Sequence, residues 1–331
     1  MAQKLGNDFL EYAASGQKLI KDVKEAKTAK TSDRVIFWKF IKKVMPSYKM
    51  YRFHATVIEQ LQKVIDGKCD RLILQVPPRH GKSLLASQLL PAAYLLAHPD
   101  RYVGISSYSA ELAEGFSRKA RDYFKDGGGL LNPSSQAVNA WGTDIGGGLW
   151  AAGVGGAVTG RSGHLLIIDD PVKNREDAES PRMMEKLNDW YTSTLYTRLE
   201  PHVGAIVVIQ TRWSENDMIG QLLDNEMNVS EDGRENWTIV DLPALYEDEG
   251  DRPPLPSHCP SVVDWREEVG ESLCPQRYDE KALRRIREAV GSRDFASLYQ
   301  QRPAPEGGNL FDPGWWQYYD HDTIMPEFQR I

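Results

Sequence analysis

At 331 residues the chain is longer than one average domain, so two or so subdomains are expected. Hydrophobic residues at 41% and charged residues at 26% describe an ordinary soluble globular protein with material for a sizeable core. A formal net charge of -7 argues against a general polyanion-coating role, and three cysteines (Cys69, Cys259, Cys274) exclude a disulfide scaffold and fit a reducing compartment.

In chain order, the N-terminus MAQKLGNDFLEYAASG lacks the apolar stretch of a signal peptide, and no window of 18 apolar residues predicts a membrane span. Residues 1–45 are mixed in charge and helical in pattern, ending in the amphipathic run VIFWKFIKKVM before Pro46. Apolar residues every three or four positions predict a helix from Met50 to Ile65, which Gly67 ends. Arg71 to Val76, apolar and bounded by prolines, predicts a buried strand. A helix follows Lys82, with Leu85, Leu89 and Leu96 on one side and a kink expected at Pro91. Arg101 to Tyr108 reads as a second strand, and Ser109 can cap the helix after it. The glycine-rich stretch 127–163 has apolar anchors in Trp141, Leu149, Trp150 and Val154, and predicts short strands and turns. Three further strands are predicted over His164 to Asp170, Gly204 to Trp213 and Trp237 to Leu245. Such alternation of apolar strands and helices indicates a parallel sheet covered on both faces. Residues 246–275 are proline-rich and acidic, two short helices follow, and the end reads as a linker.

The junction of the first strand with its helix, LILQVPPRHGKSLLASQLL, carries the chemistry. Gly81-Lys82-Ser83 match the end of the phosphate-loop template, although Val76 stands where the template has its first glycine. Backbone N–H groups of Arg79, His80, Gly81, Lys82, Ser83 and Leu84 would surround the phosphates of a nucleotide, with Pro78 shaping the loop entrance. Lys82 would reach the β- and γ-phosphates and Ser83 would offer its hydroxyl to Mg2+, and neither task belongs to residue 76.

LLIIDD supplies carboxylates at a strand end: Asp169 to hold Mg2+ and Asp170 to orient the attacking water, the two pointing to opposite sides if strand geometry continues. In VVIQTRW, Gln210, Thr211 and Arg212 can sense the γ-phosphate, with an ordinary strand end and a helix cap at Ser214 as the plainer alternative. Arg161, in TGRSG, and Arg79, inside the loop, compete as the arginine that stabilises charge in phosphoryl transfer, Arg161 from a neighbouring subunit and Arg79 in cis. Tyr48, Tyr51, Phe53 and His54 offer an aromatic to stack on the base, with Tyr51 as the candidate, while a helix packing these rings into the core is an equal alternative. His258, Cys259 and Cys274 lack a fourth ligand and the spacing of a metal site, so no metal is expected there. Lys281, Arg284, Arg285 and Arg287 lie among glutamates, the pattern of a solvated face.

PPRHGKS, AVTGRSGHLLIIDDPVKNREDAES, VVIQTRWSENDMIG, IVDLPAL and FASLYQQRPAPEGG together resemble the ATPase part of tailed-bacteriophage terminase large subunits, in the family's order over roughly residues 48–312. The resemblance implies an α/β P-loop NTPase of the additional-strand type, with a central parallel sheet flanked by helices and a small lid subdomain. It divides the chain into a helical arm at 1–45, an ATPase core at 46–245, a lid and linker at 246–305, and a linker toward an absent nuclease at 306–331. It further implies ATP and Mg2+ as ligands, double-stranded DNA, a portal protein and a small terminase subunit as partners, and a homo-oligomeric ring, usually a pentamer. The expected place of action is the host cytoplasm, transiently at the procapsid portal. By the same resemblance Lys82, Ser83 and Asp169 match phosphate and metal ligands, Arg161 lies near a trans-acting finger, and Gln210-Thr211-Arg212 matches the coupling segment. Many members carry glutamate where this chain has Asp170, which leaves Glu176 and Asp177 as rival bases. Two other functions share these parts: a helicase-like nucleic-acid-dependent ATPase, separable by strand separation on a forked duplex, and a nucleotide-switched assembly module without turnover.

Overall fold

The computed structural model describes residues 34–303 apart from 157, 159, 249 and 251. The helical pattern read in residues 1–33 and the linker after 303 lie outside the described residues.

Three five-residue strands form the centre: β1 (Arg71–Gln75), β6 (Leu165–Asp169) and β7 (Ala205–Ile209), each buried at every position. Strands buried on both faces read as continuous apolar runs, which is why they were legible. Their side chains alternate between two cores. Leu72, Leu74, Leu165, Ile167, Val207 and Ile209 join the core on one face. Ile73, Leu166, Ile168, Ile206 and Val208 join the core on the other.

The full sheet has eight strands in the order β3-β4-β5-β2-β6-β7-β1-β8, where β2 is Tyr102–Ser107, β3 Leu131–Gln136, β4 Ala140–Thr143, β5 Gly148–Gly153 and β8 Thr238–Asp241. From β5 to β8 every pairing is parallel. β7 stands between β1 and β6, which is the additional-strand arrangement. The expectation of a wholly parallel sheet needs correction at one edge, where β3 and β4 run antiparallel. These strands come from the glycine-rich stretch; the turn after β4 closes through Thr143 N–H to Gly147 O at 2.9 Å. A Cβ on Gly104 would stand 2.3 Å from the Trp150 ring, so β2 needs glycine for β5 to pack beside it.

One face is covered by α1 (Phe37–Val44), α2 (Arg52–Ile65), α3 (84–97) and α4 (Ala110–Asp126). Ser109 caps α4 as expected, accepting from Leu112 N–H at 3.2 Å. α3 opens as a π-helical segment, Leu84–Leu89, and continues as α-helix over Leu90–Ala97. Pro91 thus falls in the first turn of the α-helical part, where its missing N–H costs least, and the wide turn before it replaces the expected kink. The other face carries α5 (Arg175–Ala178), α6 (Pro181–Asp189) and α7 (Met218–Asn228). A small third core of Ala244, Leu283 and Phe295 joins α8 (Glu280–Val290) and α9 (Ser292–Gln300) to the segment after β8. No helix among the described residues is long and apolar enough to cross a membrane.

Candidate active site

Strand register builds the site. Leu74 pairs with Ile209, and Ile209 with Asp169, so one row crosses β1, β7 and β6 at their carboxyl ends. The residues just beyond that row are Gln75, Gln210 and Asp170. Ligands of open α/β sheets bind at this edge.

The loop leaving β1 turns back through two left-handed residues, Arg79 at φ 63° and Gly81 at φ 85°. Glycine adopts that conformation freely, while arginine does so at some cost in strain. The reversal delivers Lys82 and Ser83 over the ends of β7 and β6. Lys82 is 6% exposed; its Nζ donates to Thr211 Oγ1 and stands 3.9 Å from Asp170 Oδ1. Ser83 Oγ donates to Asp169 Oδ1 at 3.2 Å, and Ser87 Oγ, one helical turn later, to Asp169 Oδ2 at 2.5 Å. Burial, then the neighbouring Asp170, raise the pKa of Asp169, against the opposing pull of Ser87, Lys82 and Ser83. A buried carboxylate beside one lysine and two hydroxyls stays electrostatically hungry for a further cation.

Asp170 does not continue the strand, which corrects the expectation that the two aspartates diverge by strand geometry. Its φ is 44°. Its N–H donates to Ile209 O at 2.8 Å and its carbonyl accepts from Tyr108 N–H at 3.2 Å, so it ties the ends of β7 and β2. Oδ1 accepts from Thr211 N–H at 2.6 Å, which aims the carboxylate toward Lys82. The rivals are less engaged: Glu176 is exposed, and Asp177 N–H is used by the Asn174 cap at 3.0 Å.

The segment after β7 divides. Thr211 meets Lys82, while Gln210 and Arg212 turn toward α7. Gln210 Oε1 accepts from Ile219 N–H at 3.3 Å. Arg212 Nε donates to both oxygens of Asp217, at 2.9 and 2.8 Å, and Nη1 to Gln75 Oε1 at 3.2 Å. Arg212 is 7% exposed and Asp217 0%, so this is a buried ion pair. Asp217, not Ser214, caps α7, accepting from Gly220 N–H at 3.1 Å.

Of the two arginine candidates, Arg79 lies exposed in the loop. Arg161 lies over β5: its guanidinium is 5.8 Å from the Trp150 ring centre and donates to Asn139 O at 3.5 Å. β5 is four strand positions from β1, about 19 Å at 4.8 Å per strand, so Arg161 stands well away from its own loop. The aromatic cluster does adjoin the loop, through His54, whose Nε2 donates to His80 O at 3.1 Å. Tyr51 is half-buried and packs on Phe53 and His54. His80 in turn stacks on Tyr278 with centroids 5.1 Å apart. Burial pushes both His54 and His80 down to about 4.

Sequence reasoning missed Ser87, Asp217 and Tyr278. Ser87 had a signal, a hydroxyl four positions after Ser83 in an otherwise apolar helix. Asp217 had one too, as an acidic cap three residues before Gly220. Tyr278 had none, since its approach to His80 depends on how the C-terminal segment packs.

A family model described as "Terminase large subunit, T4likevirus-type, N-terminal" matches residues 73–312. Among solved structures, the HK97 bacteriophage large terminase is 17% identical with a TM-score of 0.48, over 82% of this chain and 55% of its own. A mutant of the Thermus phage P74-26 large terminase ATPase domain is 15% identical with a TM-score of 0.49, over 80% and 98%. The large terminase of a thermophilic bacteriophage, solved in complex with ADP, is 11% identical with a TM-score of 0.41, over 72% and 52%. The chain therefore spans about half the length of the first and third of these terminases. No curated protein matches.

Proposed function

This chain belongs to the terminase large-subunit family, and we propose that it is an Mg2+-dependent ATPase that drives double-stranded DNA into a viral procapsid. The observation supporting the reading is convergence: Lys82 and Ser83 from the loop after β1 meet Asp169 from β6 and Asp170 and Thr211 from the strand ends beside it.

The residues fit Mg2+. The Ser83 hydroxyl and Asp169 carboxylate are hard oxygen donors already in contact, and two protein ligands leave room for water and phosphate oxygens. Bound there, the ion would neutralise charge on the phosphates. The chain's own groups do the rest. N–H groups of Arg79 to Leu84 cradle the phosphates, with Pro78 shaping the entrance. Lys82 exchanges Thr211 Oγ1 for a phosphate oxygen. Asp170, held by Thr211 N–H, orients the attacking water. Most of the rate then comes from positioning and electrostatics. Tyr51, packed on the His54 that bonds the loop, is the ring we assign to the base, and residues 246–305 act as the lid, which touches the loop through Tyr278.

Thr211 links the loop to motion. Its neighbour Arg212 is locked to the cap of α7, so displacing Thr211 pulls on that helix. Arg161, far from its own loop, serves a neighbouring subunit in a homo-oligomeric ring, a pentamer when active, while Arg79 acts in cis. The motor works in the host cytoplasm at the procapsid portal, with the portal protein and small terminase subunit as partners. Turnover of ATP by the purified chain, abolished in Lys82→Ala, is the expected result. ATP binding without turnover would mark a nucleotide switch, and separation of a forked duplex a helicase; either outcome overturns the proposal.

A further inference from the structure

Away from the nucleotide site, Glu226, His258 and Cys259 converge on the face of the sheet covered by α7. Glu226 lies in the last turns of that helix, 4% exposed. A carboxylate at that depth must be held. Its Oε1 accepts from Glu235 N–H at 2.9 Å and its Oε2 from Asn236 N–H at 3.2 Å. Two more groups crowd onto the same Oε2: His258 Nε2 at 2.9 Å and Cys259 Sγ at 3.7 Å. An oxygen offers about two lone pairs, and Oε2 faces three donors.

We propose that Glu226, His258 and Cys259 form a binding site for one zinc-class divalent cation, ligated by Oε2, Nε2 and Sγ with a fourth position open to water. The three ligand atoms lie within 4.8 Å of one another. Zinc bonds of about 2.0 Å to nitrogen or oxygen and about 2.3 Å to sulfur put tetrahedral ligands about 3.2–3.8 Å apart, so only small shifts are needed: Oε2 and Nε2, now 2.9 Å apart, part slightly, and Sγ already stands 3.7 Å from Oε2. Metal binding relieves the crowding, because the cation replaces the protons on sulfur and imidazole. The two backbone N–H groups stay on the carboxylate as the outer support that metal-binding carboxylates require. Thiol and imidazole select zinc-like ions over Mg2+ and Ca2+. The His258 side chain, 18% exposed, supplies the way in. Cys69 and Cys274 pack in the core on the opposite face and cannot complete the set; the sequence, which points to no metal here, sets Cys274 and not Glu226 beside His258 and Cys259.

The ion would pin the turn closed by Cys259 N–H to Pro256 O, which lies along β8 through Ile239 N–H to Pro260 O, onto α7. The bond changes balance: the thiol proton leaves to solvent as sulfur bonds the cation, and the Nε2 proton leaves as that nitrogen's lone pair bonds the cation, the neutral ring taking one proton back at Nδ1, so affinity falls as pH falls.

The test is titration of the chelator-treated full chain with Co2+. The expected result is one equivalent bound, with a near-ultraviolet thiolate-to-cobalt band that Zn2+ erases. The band persists in Cys274→Ser and disappears in Cys259→Ser. His258→Gln, at a partly exposed position and still able to donate to Glu226, weakens cobalt binding by about tenfold or more. Absence of the band, its survival in Cys259→Ser, or unchanged binding in His258→Gln overturns the site, the last even if Cys259→Ser fails to fold.

Discussion

Asp170 sits at φ 44° with one oxygen held 2.6 Å from Thr211 N–H and 3.9 Å from Lys82 Nζ. Its orientation is set before any water arrives, which is what a residue that aligns a nucleophile needs. Asp170→Asn keeps the shape and removes the charge, so kcat should fall by about 10²–10⁴ while nucleotide affinity changes little. Steady-state turnover and a binding titration on the same variant check this; an unchanged kcat would move the role to Glu176 or Asp177. Asp217 makes a separate prediction. It pairs with buried Arg212 and caps α7. Asp217→Ala strands the guanidinium and should cost about 3–5 kcal/mol in urea unfolding. At this scale the sequence was readable wherever chemistry depends on neighbours in the chain: Lys82, Ser83 and Asp169 fall where the strand-to-helix loop and strand end put them. For Arg212 and Gln210 the sequence left the γ-phosphate and an ordinary strand end both open, because only tertiary packing decides whether a polar group past a strand faces the ligand or the next helix; here both bond toward α7.

The element carrying the loop is braced by α2. His54 Nδ1 accepts from Tyr51 N–H at 3.2 Å, so its Nε2 must carry the proton that goes to His80 O. His80 Nδ1 donates to Pro78 O at 2.9 Å and the ring stacks on Tyr278. Both rings are held neutral by burial, which outweighs the carbonyl hydrogen bonds that favour the charged form; His80 and then Arg277 push His54 further down, and Arg277 and then Lys82 do the same to His80. With folded values near 4 against 6.5 unfolded, the unfolded chain takes up protons that the folded chain refuses. This stability is fully present above pH 6.5 and is lost as pH falls toward 4, roughly 3 kcal/mol per histidine at the extreme. Urea midpoints measured across that interval should drop steeply, and His54→Gln should flatten the slope. The central strands were plain in the sequence because proline-bounded apolar runs buried on both faces admit few other readings. The antiparallel edge was not, since glycine-rich segments with scattered anchors carry no period that sets strand direction. The π-helical opening of α3 was equally hidden, because a single proline marks a disturbance without giving its form.

In the whole molecule, the loop, the helical layer and the C-terminal helices meet around one edge of the sheet. Arg175, just after the aspartates, pairs with Asp294 on α9, and Arg293 pairs with Glu179. Tyr278 adds a third link at His80. Arg161 instead lies over Trp150, about four strand spacings from its own loop, and in the proposed ring it serves a neighbouring subunit. Turnover per subunit should rise steeply with protein concentration, and Arg161→Ala should remove that rise, since such an arginine contributes about 10³–10⁵ in rate. Flat turnover, or a mutant indistinguishable from wild type at high concentration, would place the arginine elsewhere.

All of this depends on a nucleotide occupying the turn between β1 and α3. The direct measurement is a crystal structure of the chain with Mg2+ and a non-hydrolysable ATP analogue. The predicted result has phosphates inside residues 78–84, Lys82 moved from Thr211 onto a phosphate oxygen, and the ion on Ser83 and Asp169. A nucleotide bound elsewhere, with Lys82 still on Thr211, would contradict it.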